Sequence, residues 1–256
     1  MQAAFPATDL RTASLFAGAP GGNSLVQAAL SGMGRVLADR PKEPRCAVAT
    51  VGDFVYCGGE PGYSAVHLLR MAMTGSWEDY LIYAPGAWRQ VLARLGEYQV
   101  VRRYAFDSHV QPEDDHLRAL LRDMPVEGAF QPIEGAWIAH CRTEEWSRDF
   151  VRLYEDEAYA QRGLGVLLML HGEAVAGASS YTSYPGGIEV QLQTRDDQQG
   201  KGYATLAAAK LLLMAHARGL IATWDAANAT SAHIAEKLGY CALGTYEVAK
   251  LCNTKE

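Results

Sequence analysis

The sequence predicts a two-part α/β (α+β) chain with a mixed, mostly antiparallel sheet flanked by helices, preceded by a smaller N-terminal α/β domain. Three observations carry that expectation. Strand-like runs at Gly165–His171, Ala174–Tyr181 and Ile188–Thr194 are joined by His171-Gly172-Glu173 and Pro185-Gly186-Gly187, links so tight that the strands must form an antiparallel meander. An alanine- and leucine-rich helical stretch, Ala204–Ala217, follows at once. The polar segment Asp107–Asp114 separates this region from an earlier alternation of helix and strand patterns, which sets expected domains at 1–105 and 106–256.

Taken in order, Gly18-Ala19-Pro20-Gly21-Gly22-Asn23 reads as a turn cluster. No Lys-Ser/Thr follows it, so it is an ordinary loop rather than a phosphate loop. A helix is expected near Leu25–Leu37. A hairpin follows, with Ala47–Thr50 and Phe54–Tyr56 turning at Gly52-Asp53. Then come a helix around Ser64–Met73, a strand at Tyr80–Tyr83, a helix at Ala87–Leu95 and a strand at Tyr98–Tyr104. Beyond the polar segment, the pattern predicts a helix at Asp115–Arg122 and a strand near Trp137–Cys141. A helix capped by Thr143, with Glu144, Glu145 and Trp146 in its first turn, comes next.

A chain of 256 residues can bury a sizeable core, and its composition, 49% apolar and 20% charged, is that of a globular enzyme. The net charge of −6 carries no footprint for nucleic acid or an anionic membrane and favours cationic partners such as amines. Five scattered cysteines without a Cys-x-x-Cys pair read as reduced thiols. With no export signal and no apolar run long enough to span a bilayer, the expected location is the cytoplasm. The seven histidines show no metal-ligand spacing, so no metal is expected. Ser179 and Ser180 lack a Gly-x-Ser-x-Gly elbow, which argues against an acyl-serine intermediate.

The chemistry-bearing stretch is Asp197-Gln198-Gln199-Gly200-Lys201-Gly202-Tyr203-Ala204, where a polar strand runs into an apolar helix. A helix N-terminus exposes main-chain N–H groups, and glycines without Cβ let a phosphate approach them closely. Gln199, Gly202 and Ala204 match the Arg/Gln-x-x-Gly-x-Gly/Ala pattern. At the expected distance follow the strand Ile221–Asp225, Asn228 opening a helix, and the run Glu236-Lys237-Leu238-Gly239-Tyr240. With Gly172–Tyr181 upstream, these residues resemble the GNAT acetyltransferase superfamily, and within it the two-part branch that includes the zwittermicin A resistance acetyltransferase. The likeness is dense from about Phe106 onward.

That resemblance implies acetyl-CoA as acyl donor and direct transfer to a primary amine of a small molecule, an antibiotic or amino metabolite. It implies that Gln199, Gly200, Lys201, Gly202, Tyr203 and Ala204 hold the pyrophosphate. Leu192, Gln193 and Thr194, on a strand end that splays at a bulge, pair with the pantetheine and the acetyl carbonyl. Asn228 contacts pantetheine, caps the helix, or does both, and Ser231 stands beside it. Period two puts Glu189, Gln191 and Gln193 on one face and Ile188, Val190 and Leu192 on the core face. Glu189 is the candidate base, since an amine must lose a proton before it attacks. The tyrosine that often protonates the leaving thiolate is replaced here by Ala235. His233 points elsewhere on the helix, and Tyr181, Tyr240 and Tyr246 are the remaining phenols. Two rival readings stay open: a protein or peptide acetyltransferase with an extended groove, and a non-catalytic acetyl-CoA sensor. A homodimer is compatible with all of them.

Overall fold

The computed structural model describes residues 4–6, 10–20 and 24–254. Their contacts gather into two units. One holds the residues up to Arg103 together with those from Thr245 onward; the other is Tyr104–Gly244. Part of the Gly18–Asn23 turn cluster, residues 21–23, lies outside the described residues.

The first unit contains β1 (Phe5–Pro6), α1 (Leu10–Ser14), α2 (Ser24–Ala28), β2 (Arg35–Ala38), β3 (Cys46–Val51), β4 (Phe54–Gly59), α3 (Ala65–Ala72), β5 (Leu81–Tyr83) and α4 (Trp88–Ala93). Strand β6 (Gly96–Phe106) begins here and ends in the second unit. The expected hairpin forms, with Val51 opposite Phe54 and Gly52 at φ 55° in the turn. One expectation fails: the helix placed at Leu25–Leu37 ends near Gly32. Gly32 adopts φ 92°, and Gly34 lies so close to Thr50 that a Cβ would stand 2.1 Å from its carbonyl oxygen. Val36 and Leu37 then join β2 and pair with β3, so tertiary pairing outweighs helical periodicity.

The second unit contains α5 (Asp114–Leu120), β7 (Gly128–Pro132), α6 (Ala136–Thr143), α7 (Asp156–Arg162), β8 (Gly165–Leu170), β9 (Glu173–Tyr184), β10 (Gly187–Thr194), α8 (Tyr203–Ala217), β11 (Ile221–Thr223), β12 (Asp225–Ala226) and α9 (Ala229–Leu238). Strand β13 (Ala242–Thr254) leaves it for the first unit. The sheet order is β11-β10-β9-β8-β7, antiparallel except for the parallel β10–β11 pair. The meander turns as its residues dictate. His171 and Gly172 both take positive φ (51° and 84°) between the paired Leu170 and Glu173, a type I′ hairpin turn. Pro185-Gly186 links the paired Tyr184 and Gly187, with Gly186 at φ 86°, as a type II turn requires.

The region before the meander differs from expectation. Trp137–Cys141 is helical, inside α6, with Ile138 and Cys141 on its buried side. Thr143 closes that helix rather than opening one, its hydroxyl donating to the His140 carbonyl at 2.9 Å. The strand of this region is β7, and α7 follows α6. A short apolar run carries no period that separates strand from helix, and here its i, i+3 burial settles the matter.

Helix α8 packs on β8, β9 and β10 and against α5. Thr205, Leu206, Ala207, Ala208, Ala209, Leu211, Leu212 and Ala215 are buried, so the helix is covered on more than one side, which its uniformly apolar sequence allows. Its alanines let it approach the sheet, with Ile188, Val190, Ala178 and Val166 in the shared core. Helix α9 ends at Gly239 (φ 107°) in a Schellman motif: Gly239 N–H donates to the Glu236 carbonyl and Tyr240 N–H to that of Ala235, both at 3.0 Å. The Glu-Lys-Leu-Gly-aromatic run is therefore a helix stop, whose aromatic residue plugs the core between Trp224 and Phe106.

Candidate active site

Strands β10 and β11 pair only over Gly187–Glu189 and Ile221–Thr223. After Thr223 the chain turns to β12, which pairs Asp225 with Ala105 and Ala226 with Tyr104 of β6. β10 continues to Thr194 beside β9 alone, so the two strands part beyond Glu189. Ile221 N–H donates to the Gly186 carbonyl at 2.9 Å, which shows that the main chain of even-numbered β10 residues faces β11. Strand alternation therefore directs the N–H groups of Val190, Leu192 and Thr194 to the parted side. Gln193 faces β9, opposite Gly177. The β9–β10 register shifts between Glu189 and Val190, where Tyr181 is the extra residue.

At the end of β10 the chain enters the turn before α8. Gly200 and Gly202 adopt φ 77° and 81°, and a Cβ built on either would meet nothing within 4 Å. Both main-chain positions are thus open on the side where other residues would carry a side chain. Among the described residues, the main-chain N–H groups of Gly200, Lys201, Gly202, Tyr203 and Ala204 donate to no protein acceptor. Five consecutive donors at the N-terminus of a 15-residue helix make a candidate anion cradle. Side chains hold its shape. Arg195 forks onto Asp197 at 2.7 and 3.0 Å and reaches Glu173 at 3.0 Å. Gln199 donates to Asp196 at 2.9 Å, and Lys201 donates to Gln198 at 2.8 Å. The Arg195 and Gln198 hydrogen bonds hold the Asp197 carboxyl down at about 2.

Glu189 sits at the vertex of the parting strands, 4% exposed, and accepts a short hydrogen bond from the Thr223 hydroxyl, which is itself buried. The Thr223 oxygen also lies 3.0 Å from the Ile188 carbonyl. Ile188 and Val190 enter the core on the opposite face, as period two predicts. Tyr184 lies across Gly187, where a Cβ would stand 2.4 Å from its ring. Its phenol is raised to about 12, first by burial and further by the Glu189 carboxylate, against a hydrogen bond with Thr223. Thr223 and Tyr184 were not singled out from the sequence. Only the β10–β11 register, absent from any local pattern, could have pointed to Thr223.

Asn228 is the N-cap of α9, its side-chain oxygen accepting from Ser231 N–H at 2.9 Å. Ala235 is fully buried in the α8–α9 core. None of the three phenols considered in its place is unengaged. Tyr240 donates to the Ala222 carbonyl at 2.8 Å and is pushed well up by burial, and Tyr181 is buried with Arg152 at its hydroxyl. Tyr246 belongs to the first unit, its ring 6.1 Å from that of Tyr83. Ser179 and Ser180 are fully buried and bonded to Tyr159, Tyr154 and main-chain groups. Among the described residues no His, Cys, Asp or Glu cluster could hold a metal, and no helix is long and apolar enough to cross a membrane.

Open main-chain donors at a helix N-terminus, following a strand that parts from its parallel neighbour, make an arrangement able to take an anion at the helix and an extended ligand along the strand edge. The model of the GNAT acetyltransferase family matches residues 13–249. The chain belongs to that family and is a GNAT-type acetyltransferase, a family that uses acetyl-CoA as acyl donor. Among solved structures it is similar to a GCN5-related N-acetyltransferase-like protein from Streptococcus suis, at 33% identity over 94% of this chain and 96% of that one, with a TM-score of 0.84. It shares the fold of a GCN5-related N-acetyltransferase from Kribbella flavida, at 19% identity, 80% and 85% coverage and a TM-score of 0.51. The tandem GNAT protein of the clavulanic acid biosynthesis pathway also shares it, at 11% identity, 96% and 97% coverage and a TM-score of 0.55. No curated protein matches the chain.

Proposed function

We propose that this acetyltransferase moves the acetyl group of acetyl-CoA to a primary amine of a small molecule, an amino metabolite or antibiotic, as in the two-part branch resembling the zwittermicin A resistance enzyme. The observation that carries the reading is the run of five uncommitted N–H groups at Gly200–Ala204, which follows the end of β10 that has parted from β11. The cradle takes the pyrophosphate. The N–H groups of Leu192 and Thr194, with that of Val190, take the pantetheine and the acyl carbonyl, where a donor also stabilises the oxyanion of the tetrahedral intermediate. The amide nitrogen of Asn228 and the hydroxyl of Ser231 contact the pantetheine arm from α9. Glu189 accepts the proton of the acceptor ammonium. Coverage of nearly the whole chain by a protein described as a tandem GNAT supports reading the N-terminal unit as a degenerate half of the same kind.

The test is release of coenzyme A with a panel of aminoglycosides, polyamines, amino acids and peptides, with the products identified by mass spectrometry. Release with small amines and none with peptides is expected. Ala235 in the usual acid position favours a second reading, a sensor that binds acetyl-CoA without turnover. Calorimetric binding of acetyl-CoA with no thiol release across the panel would establish the sensor instead.

A further inference from the structure

A cavity of about 220 Å³ lies in the second unit, between the start of α6, the link from α7 to β8, and the C-terminal end of α8. It is at the other end of α8 from the cradle. Met214 and Arg218, which line it, follow Tyr203 by eleven and fifteen residues, roughly 16 and 22 Å along a helix axis. In the sheet, Gly165 on its wall pairs with Ser179 of β9, which pairs with Gln191 of β10, two strand spacings or about 10 Å away. The floor is apolar and fixed: Ile133, Leu164 and Tyr159 are buried, and the Tyr159 hydroxyl is bonded to that of Ser179 at 2.7 Å. Tyr159 lies so near Gly163 and Gly165 that a Cβ would stand 2.6 and 2.2 Å from it, so only glycine lets the link pass over the ring. The exposed Glu134 and Arg218 bring opposite charges to the rim. Among the described residues the Glu134 carboxylate has no ion pair or hydrogen bond, and the Arg218 guanidinium has only a long contact of 3.5 Å with the Gly163 carbonyl. The two charges share one cavity without meeting.

We propose that this cavity is a binding site for a free α-amino acid with a short aliphatic side chain, separate from the site of acyl transfer. Wall charges of both signs that leave each other unsatisfied match a ligand that carries both. Its ammonium donates to the Glu134 carboxylate, and its carboxylate accepts from the forked guanidinium of Arg218. A plain anion meets repulsion from Glu134 and a plain amine meets it from Arg218, so the pair selects the zwitterion over either half. The aliphatic chain settles on Ile133, Leu164 and Met214, which removes apolar surface from water. The volume lies below the roughly 300–1,000 Å³ of pockets that take drug-sized ligands, which suits a molecule of the size of leucine. The ligand is not the acceptor of the transfer reaction. The edge of β10 that parts from β11 is turned away from β9 and β8, so an amine held at Glu134 stays out of reach of a thioester lying there.

The test is titration calorimetry of the whole protein with L-leucine as probe. One saturable site with a Kd of about 1 mM or below is expected. Isocaproate, which lacks the ammonium, and isopentylamine, which lacks the carboxylate, should each bind at least about tenfold more weakly. Glu134→Gln and Arg218→Gln should each weaken L-leucine by about tenfold and leave the acetyl-CoA Kd within about twofold. Ala160→Trp, on the exposed side of α7, fills the cavity without touching either charge, should abolish the binding, and serves where a charge variant disturbs the fold. No saturable heat up to about 10 mM L-leucine, half-ligands that bind as tightly as leucine, or binding that survives Ala160→Trp in folded protein overturns the proposal. Acetylation of leucine that persists in Arg218→Gln and Ala160→Trp but is lost in Glu189→Gln makes leucine an acceptor at the transfer site, and then the cavity inference fails alone. Leucine binding that responds to the variants as expected, with no coenzyme A release across the amine panel, overturns the transfer reading and leaves the cavity site standing.

Discussion

Glu189 and Thr223 are the last residues to pair before β10 and β11 part, and the Thr223 hydroxyl donates to the Glu189 carboxylate at that point. A buried carboxylate that loses its donor keeps its desolvation cost, about 1–3 kcal/mol. Thr223→Val should therefore lower Tm by roughly 3–10 °C in a chain of this size. It should also lower kcat while leaving the KM for acetyl-CoA in place, because the cradle is untouched. A calorimetric scan together with steady-state kinetics reads both, and an unchanged Tm would mean the hydrogen bond adds nothing to the fold.

Gly202 opens α8 at φ 81° with free space where a Cβ would stand. Gly202→Val places a branched side chain in the left-handed region at a cost of about 1–2 kcal/mol, and aims it where the phosphate is proposed to bind. Acetyl-CoA affinity should fall more than tenfold, about 1.4 kcal/mol or more, beyond the change in stability. Titration calorimetry on the folded variant checks this, and unaltered affinity would remove the cradle assignment.

The fork between Arg195 and Asp197 sets a defined acid limit. Asp197 is depressed from 3.8 to about 2, chiefly by the Arg195 hydrogen bonds, so the folded state binds that proton less readily than the unfolded chain. Its stabilisation is fully present above pH 3.8 and is lost as pH falls through about 2. In urea unfolding, any advantage of the wild type over Asp197→Asn should be constant from about pH 5 to 8 and vanish towards pH 2. An advantage that changes near neutral pH would assign it to another group.

Ala235, where the resemblance implies a phenol in other members, is fully buried in the core it shares with α8. Ala235→Tyr should overpack that core, costing about 1–3 kcal/mol or more, without raising kcat. A faster, equally stable variant would show that the position opens to the thioester after all.

The strand, cradle and helix were legible locally because each is written in short-range terms. Alternation marks β10, two glycines mark the positive-φ turn, and an unbroken apolar run marks α8. Asn228 as a cap and Gly52-Asp53 as a hairpin turn were legible for the same reason. Trp137–Cys141 was misread because five residues hold neither a strand's alternation nor a helix's repeat clearly enough to separate them. The Leu25–Leu37 helix was misread because Gly34 packs against Thr50, a contact sixteen residues away.

By itself, then, the sequence marked the helix N-terminus and the glycines that precede it, since these are properties of adjacent residues. Tertiary structure alone decided what surrounds Glu189. Thr182, Glu189 and Thr223 lie on three strands and share one face only through register, and register is fixed by pairing over long loops that no local pattern records.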